Sequence, residues 1–232
     1  MIKLLPILAA VLYGLVVYRF SVWKTQRDLD ARSTELADAR LRALTDRMAE
    51  ALGLDRIRVH IYEVAPVNGL AAPDGRIFIT RGFFDRYRAG EVSAEELASV
   101  IAHELGHVAL GHARRRMIDF SSQNAIRVVL MTLLNRVIPG IGAMIAGALT
   151  SLIASRLSRQ DEYEADAYAA ALLTKSGIGT QAQKALFEKL DRLTQAGGSG
   201  MPAWLMTHPD TPDRVAAIES LERRWSQGAA PS

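Results

Sequence analysis

The sequence predicts an α+β chain, mainly helical, with a small β-sheet and an N-terminal membrane-anchor helix in front. Three observations carry this. Apolar residues recur at helical spacing through most of the 232 residues. Period-two alternation is confined to "RVHIYEV" (58–64) and "GRIFITRG" (75–82). And the chain opens with an uncharged apolar run from Leu4 to Tyr18.

Taken in order, that run follows Lys3 and is closed by Arg19, Trp23 and Lys24, residues suited to a membrane interface. With its flanks it approaches the roughly 20 residues a spanning helix needs. A cleaved signal peptide is the rival, but no small-x-small cleavage site follows. Residues 1–24 are therefore expected as an uncleaved single-pass anchor and 25–232 as one domain. Orientation stays open, with Lys3 and the amino terminus against Arg19, Lys24 and Arg27. From Gln26 to Leu52, Leu29, Leu36, Leu44 and Met48 predict one long helix stopped by Gly53. The two alternating stretches then predict strands joined by the turn-rich "APVNGLAAPDG". Ser93 with Glu96 forms a capping box that opens the next helix. Further helices are expected over Ser121–Asn135, Gly140–Ser155, Gln160–Thr174 and Gln181–Gln195. After "AGGSG", a last helix is entered through Thr211-Pro212.

Composition excludes several functions. Twenty-eight basic against 25 acidic residues leave a net charge of only +3, with no basic stripe among aromatics, so no nucleic-acid partner is expected. Cysteine is absent, which removes disulfides, a lipoprotein anchor and thiolate metal sites. Any metal must be held by His, Asp or Glu.

The helix opened by Ser93 carries "HELGH". His103 and His107 stand four apart, so they leave one helical face and can reach one zinc ion. Glu104 lies beside the first histidine, where it can act as general base without ligating the metal. A zinc ion there would lower the pKa of a water toward 7. The bland alternative is a surface helix with incidental histidines. Against it stand the apolar flanks "ASVIA" and "VAL", because burying two histidines without partners is costly. His112, five residues on, points off that face and reads as a supporting or surface residue, followed by arginines as a solvated helix end. The third ligand is sought in "SRQDEYEADAYAAALL". Glu162 and Asp166 share a face with Ala169, Ala170 and Leu173, so two carboxylates point toward a core. Glu162 as ligand and Asp166 as the group orienting a histidine satisfy both; Glu164 is the alternative ligand, and a solvated acidic helix start the bland reading. His60 reads as structural.

"HELGH" with "EYEAD" resembles the HtpX-like and BepA-like zinc metallopeptidases, gluzincins that include the CAAX prenyl proteases and the Oma-type mitochondrial proteases. "VNGLAAPDGRIFITRGFF" is similar to that family's edge strand before the active-site helix, and "THPDTPDRVAAI" to its late His-Pro segment followed by arginine. The resemblance covers about Val59 to Ile218. It implies a zincin-like helical domain and one Zn2+ per chain on His103, His107 and Glu162. Glu104 would be the base, Asp166 the orienting carboxylate, and His208 a latch on the open position or a polar contact to the developing oxyanion. It also implies a polypeptide substrate, unfolded or misassembled membrane-associated protein, cut in quality control beside a lipid bilayer. A bacterial membrane is the expected location, and the resemblance favours the periplasmic side. The rival for "GRIFITRG" is half of a core hairpin.

The apolar stretch Val128–Ser155 separates His107 from Glu162. One membrane crossing there would part the ligands and two need about 40 apolar residues, so a non-spanning helical hairpin is expected. The rival function is a zinc-containing assembly or chaperone-like binding factor whose proteolysis is latent.

Overall fold

The computed structural model describes residues 4–72, 74–112, 115, 142–195, 208 and 213–228. These form seven helices and one four-stranded sheet, as expected of a mainly helical α+β chain. The elements are α1 (Leu4–Ala31), β1 (Ser33–Glu35), α2 (Ala39–Leu52), β2 (Val59–Tyr62), β3 (Gly69–Ala71), β4 (Ile77–Thr80), α3 (Arg81–Arg88), α4 (Ala94–Ala109), α5 (Gly142–Lys175), α6 (Gln181–Gln195) and α7 (Asp213–Ser226). The stretches expected as a helix at 121–135 and as the "AGGSG" break lie outside the described residues, as does the Thr211-Pro212 entry.

The single helix expected over 26–52 is two helices with a strand between them. α1 ends at Ala31, β1 pairs antiparallel with β2, and Asp38 starts α2 by accepting the amides of Arg40 and Leu41. A fresh N-cap outweighs continuation because it satisfies donors that a helix start leaves open. Leu36 is still buried, but from the connection between β1 and α2, where its amide donates to the Val59 carbonyl at 2.9 Å. Gly53 stops α2 as expected, with φ at 66°.

α1 runs past the expected anchor. Its last turns bury Leu29 against Ala72 and Phe78, while Leu12, Val16, Phe20 and Trp23 stay exposed. Among the described residues no helix is long and apolar enough to cross a membrane. The uncharged run of α1 is about 22 Å long, short of a bilayer core of roughly 30 Å.

The sheet order is β1-β2-β4-β3, with β2 and β4 parallel and the outer pairs antiparallel. "GRIFITRG" is therefore not the edge: all four residues of β4 are buried, and β3, out of the turn-rich loop, lies outside it. β3 and β4 do make an antiparallel hairpin, so the hairpin reading of that stretch holds. In β2, His60 stacks on Phe78 at 5.3 Å between ring centres.

α4 crosses the middle of the molecule. Ser93 and Glu96 close the expected capping box, and Leu97, Ile101 and Ala102 are buried among residues of α2, the sheet, α5 and α6. α5 corrects a second expectation. From Gly142 on, the segments expected as separate helices at 140–155 and 160–174 are one unbroken helix, because neither Pro nor Gly falls between them. The part of the expected hairpin before residue 142 lies outside the described residues.

Candidate active site

His103, Glu104 and His107 lie on the buried side of α4, each less than a tenth exposed. α5 supplies the facing wall. Glu162 and Asp166 point inward from the same stripe as Ala169, Ala170 and Leu173, all buried. The two helices meet closely at Gly106, where a Cβ would stand 3.0 Å from Cα and O of Ala165. Absence of a side chain there lets α4 and α5 bring their polar groups together.

The groups converge. Nε2 of His103 lies 3.1 Å from Nε2 of His107 and 3.3 Å from Glu162 Oε2; Nε2 of His107 lies 3.6 Å from Glu162 Oε1. His208 joins from the C-terminal segment, with Nδ1 2.9 Å from Glu162 Oε2 and 3.4 Å from His103 Nε2, and Nε2 3.3 Å from Glu104 Oε1. The His103–His107, His103–Glu162 and His107–Glu162 spacings of 3.1, 3.3 and 3.6 Å are close to the roughly 3.3 Å that separates ligand atoms around a four-coordinate zinc. Asp166 sits behind His103, its Oδ1 2.9 Å from Nδ1. With that nitrogen donating to Asp166, Nε2 carries a lone pair and faces the cluster. His103, His107, Glu162 and His208 thus form a buried set that could hold a metal ion. The donor chemistry, all imidazole nitrogen and carboxylate oxygen, suits zinc.

Without a metal, the carboxylates set the charge of the site and favour a protonated His103, whose Nε2 hydrogen a metal would displace. Burial acts to lower the pKa of His103, but its hydrogen bonds to Asp166 and Glu162 outweigh it and raise the value to about 9. Burial would raise the Glu162 carboxyl, yet His103 and His208 hold it well below the usual carboxylate range. Asp166 is lowered likewise, against burial, chiefly by Arg214 and then by His103. Arg214 donates from Nε to Oδ2 at 2.6 Å and from Nη2 to Oδ1 at 2.8 Å, and its guanidinium lies over Phe187 at 4.4 Å.

Arg214 was not read from the sequence as part of the site, and His112 only as one of two alternatives. Arg214 appeared there only as an arginine after a His-Pro pair; six residues beyond His208, it is among the largest fully buried side chains. His112 was expected off the face, as a supporting or surface residue. It is 1% exposed, and its Nδ1 stands 2.7 Å from Nδ1 of His107. The helical projection fails because α4 ends at Ala109 and Gly111 takes a left-handed φ of 66°, which turns the chain back inward. Nor is the arginine tail only solvated: Arg115 donates to Asp161 at 3.2 Å and to Glu164 at 2.8 Å. Glu164, the alternative ligand, belongs to this second group rather than to the first.

Comparison with known proteins points the same way. The model of peptidase family M48 matches residues 35–222. Metalloprotease LoiP of Escherichia coli is 30% identical over 180 residues, 77% of this chain and 68% of LoiP. A protease HtpX homolog of Bordetella avium is 27% identical, with 75% and 68% covered. The mitochondrial metalloendopeptidase OMA1 of Danio rerio is also 27% identical, but the chain spans only 35% of its length. With the family model covering both α4 and α5, the chain belongs to peptidase family M48, a family of metal-dependent proteases.

Proposed function

We propose that the protein is a zinc endopeptidase attached to a bacterial membrane by its first helix, cutting unfolded or misassembled polypeptide. One observation carries this: Nε2 of His103 and Nε2 of His107 lie 3.1 Å apart and each lies within 3.6 Å of a carboxylate oxygen of Glu162, with Glu104 next to His103 in the chain. His103, His107 and Glu162 would hold the metal, which when bound supplies a Lewis acid and a water acidified toward neutral pH. Glu104, beside His103, would be the general base, accepting a proton from the attacking water and passing it to the leaving amine. Asp166 fixes the ring of His103 by accepting from Nδ1, and Arg214 keeps Asp166 ionised. Low exposure of the whole cluster excludes bulk water and strengthens each of these contacts.

The substrate is proposed to add as an extended strand along β3, the sheet edge beside α4. Membrane attachment is supported by the exposed Leu12, Val16, Phe20 and Trp23 on α1. Quality control at a periplasmic face rests on family likeness. His208 supports a second element, a latch: it reaches Glu162, His103 and Glu104 at once and so takes the corner a substrate carbonyl needs. The test is zinc content and cleavage of unfolded casein by wild type, Glu104→Gln and His208→Ala. Stoichiometric zinc in all three, with cleavage lost only in Glu104→Gln, is the expected result, and a gain in His208→Ala marks the latch. Zinc without cleavage in any form would favour the binding factor instead.

A further inference from the structure

We propose that His112 is a positioning residue: it sets the tautomer of His107, and Glu164, Asp161 and Arg115 hold it in place. The inference rests on the zinc reading above and goes one layer further out.

The observation is the facing pair of Nδ1 atoms, 2.7 Å apart. Two neutral imidazoles meet at that distance only if one nitrogen carries a hydrogen and the other a lone pair. If His107 is to offer Nε2 to a metal, its Nδ1 must carry the hydrogen, so Nδ1 of His112 accepts. The hydrogen of His112 then sits on Nε2, which lies 3.3 Å from Glu164 Oε2, a carboxylate able to receive it. Both bonds therefore run outward from the metal site in one consistent direction. Glu164 is itself held by Arg115 at 2.8 Å and by Gln160 Nε2 at 2.9 Å, and Arg115 also reaches Asp161.

The same proton count disposes of the rival reading. His112, Asp161 and Glu164 lie close enough to hold a second cation. To ligate it, Nε2 of His112 would have to lose its hydrogen, placing that hydrogen on Nδ1. His107 would then have to accept at Nδ1 and protonate Nε2, which removes it from the first site. Arg115, bonded to both carboxylates, already supplies the positive charge there. So the second group serves the first. His103 is oriented by a carboxylate directly, while His107 is oriented by a neutral ring with a carboxylate behind it.

The experiment measures zinc affinity of the full chain by chelator competition, for wild type, His112→Leu and His112→Asn. Loss of the acceptor in His112→Leu is expected to weaken zinc binding 10–100-fold. Asparagine places Oδ1 where Nδ1 stood, so His112→Asn is expected to regain most of that loss. Equal affinity in His112→Leu and wild type overturns the proposal, as does an His112→Asn no better than His112→Leu. Should the leucine variant not fold, long-range 1H–15N spectra of zinc-loaded wild type decide. Hydrogen on Nε2 of His112 supports the proposal, and hydrogen on Nδ1 overturns it. A wild type that binds no zinc overturns the metal reading and this one together, whereas tight wild-type binding left intact in His112→Leu overturns this one alone.

Discussion

Asp166 shows how much one buried carboxylate carries. It accepts from Arg214 on both oxygens and faces His103, all at about 1–2% exposure. Removing one partner of such a pair leaves an uncompensated charge in low dielectric. Arg214→Leu is therefore expected to lower the unfolding free energy by about 3–5 kcal/mol. Arg214→Lys should regain only part, since an ammonium cannot supply the two-pronged contact or the stacking on Phe187. Urea unfolding measures both, and a leucine variant within 1 kcal/mol of wild type (on the order of a surface pair) would sink the idea. His103 gives a pH prediction. Its pKa is raised to about 9 by groups of the folded chain, from an ordinary 6.5. The stability this contributes is full below pH 6.5 and is lost as pH rises through 9. In protein stripped of metal by chelator, unfolding free energy should thus fall by up to about 3 kcal/mol over that range. His103→Gln should flatten the slope, and a flat wild-type profile would refute the assignment.

Between α4 and α5 the site depends on how closely two helices approach, and Gly106 sets that distance. Its missing Cβ would meet Ala165 Cα and O at 3.0 Å and Tyr168 Cβ at 3.3 Å; the first two are backbone of an opposing helix, which cannot swing away. Gly106→Val is expected to cost about 1–3 kcal/mol through overpacking. It should also weaken zinc binding, because His103 and His107 ride on one helix and Glu162 on the other. Gly106→Ala should lose less, since alanine returns about 1 kcal/mol of helix propensity. A valine variant with wild-type unfolding midpoint and zinc affinity would refute the argument. These elements also show what a sequence makes legible. The start of α4, the stop of α2 and the span of α6 follow from local caps and spacing, and local rules reach that far. β1 was missed because its pairing with β2 is made across a distance, and the same holds for β3 becoming the sheet edge outside β4. His103, Glu104, His107, Glu162 and Asp166 were legible because two helical intervals place them; for His112 the choice between a supporting and a surface place stayed open, because a left-handed glycine breaks the interval.

Across the whole molecule α1 divides into two parts with different surroundings. From about Gln26 onward it belongs to the domain: Leu29 packs on Phe78 and Ala72, Asp30 pairs with Arg76 at 2.6 Å, and Asp28 bonds Tyr62 at 2.5 Å. Before that point it offers Leu12, Val16, Phe20 and Trp23 at intervals of three and four, a stripe along one side of the helix. Arg27 lies over the Trp23 ring at 5.3 Å, so the aromatic and the cation sit together as they do at lipid headgroups. The two halves should therefore come apart in experiment. A chain begun at Gln26 keeps Leu29 and its ion pairs and is expected to retain the zinc affinity, casein cleavage and unfolding midpoint of the full chain. It should lose co-sedimentation with vesicles containing anionic lipid, which the full chain should show. Replacing Leu12, Val16 and Phe20 by serine in the full chain should reproduce that loss with activity on soluble casein unchanged. Equal vesicle binding by the shortened and full chains would place the membrane contact elsewhere on the domain, and loss of zinc affinity on shortening would make the outer helix part of the catalytic fold.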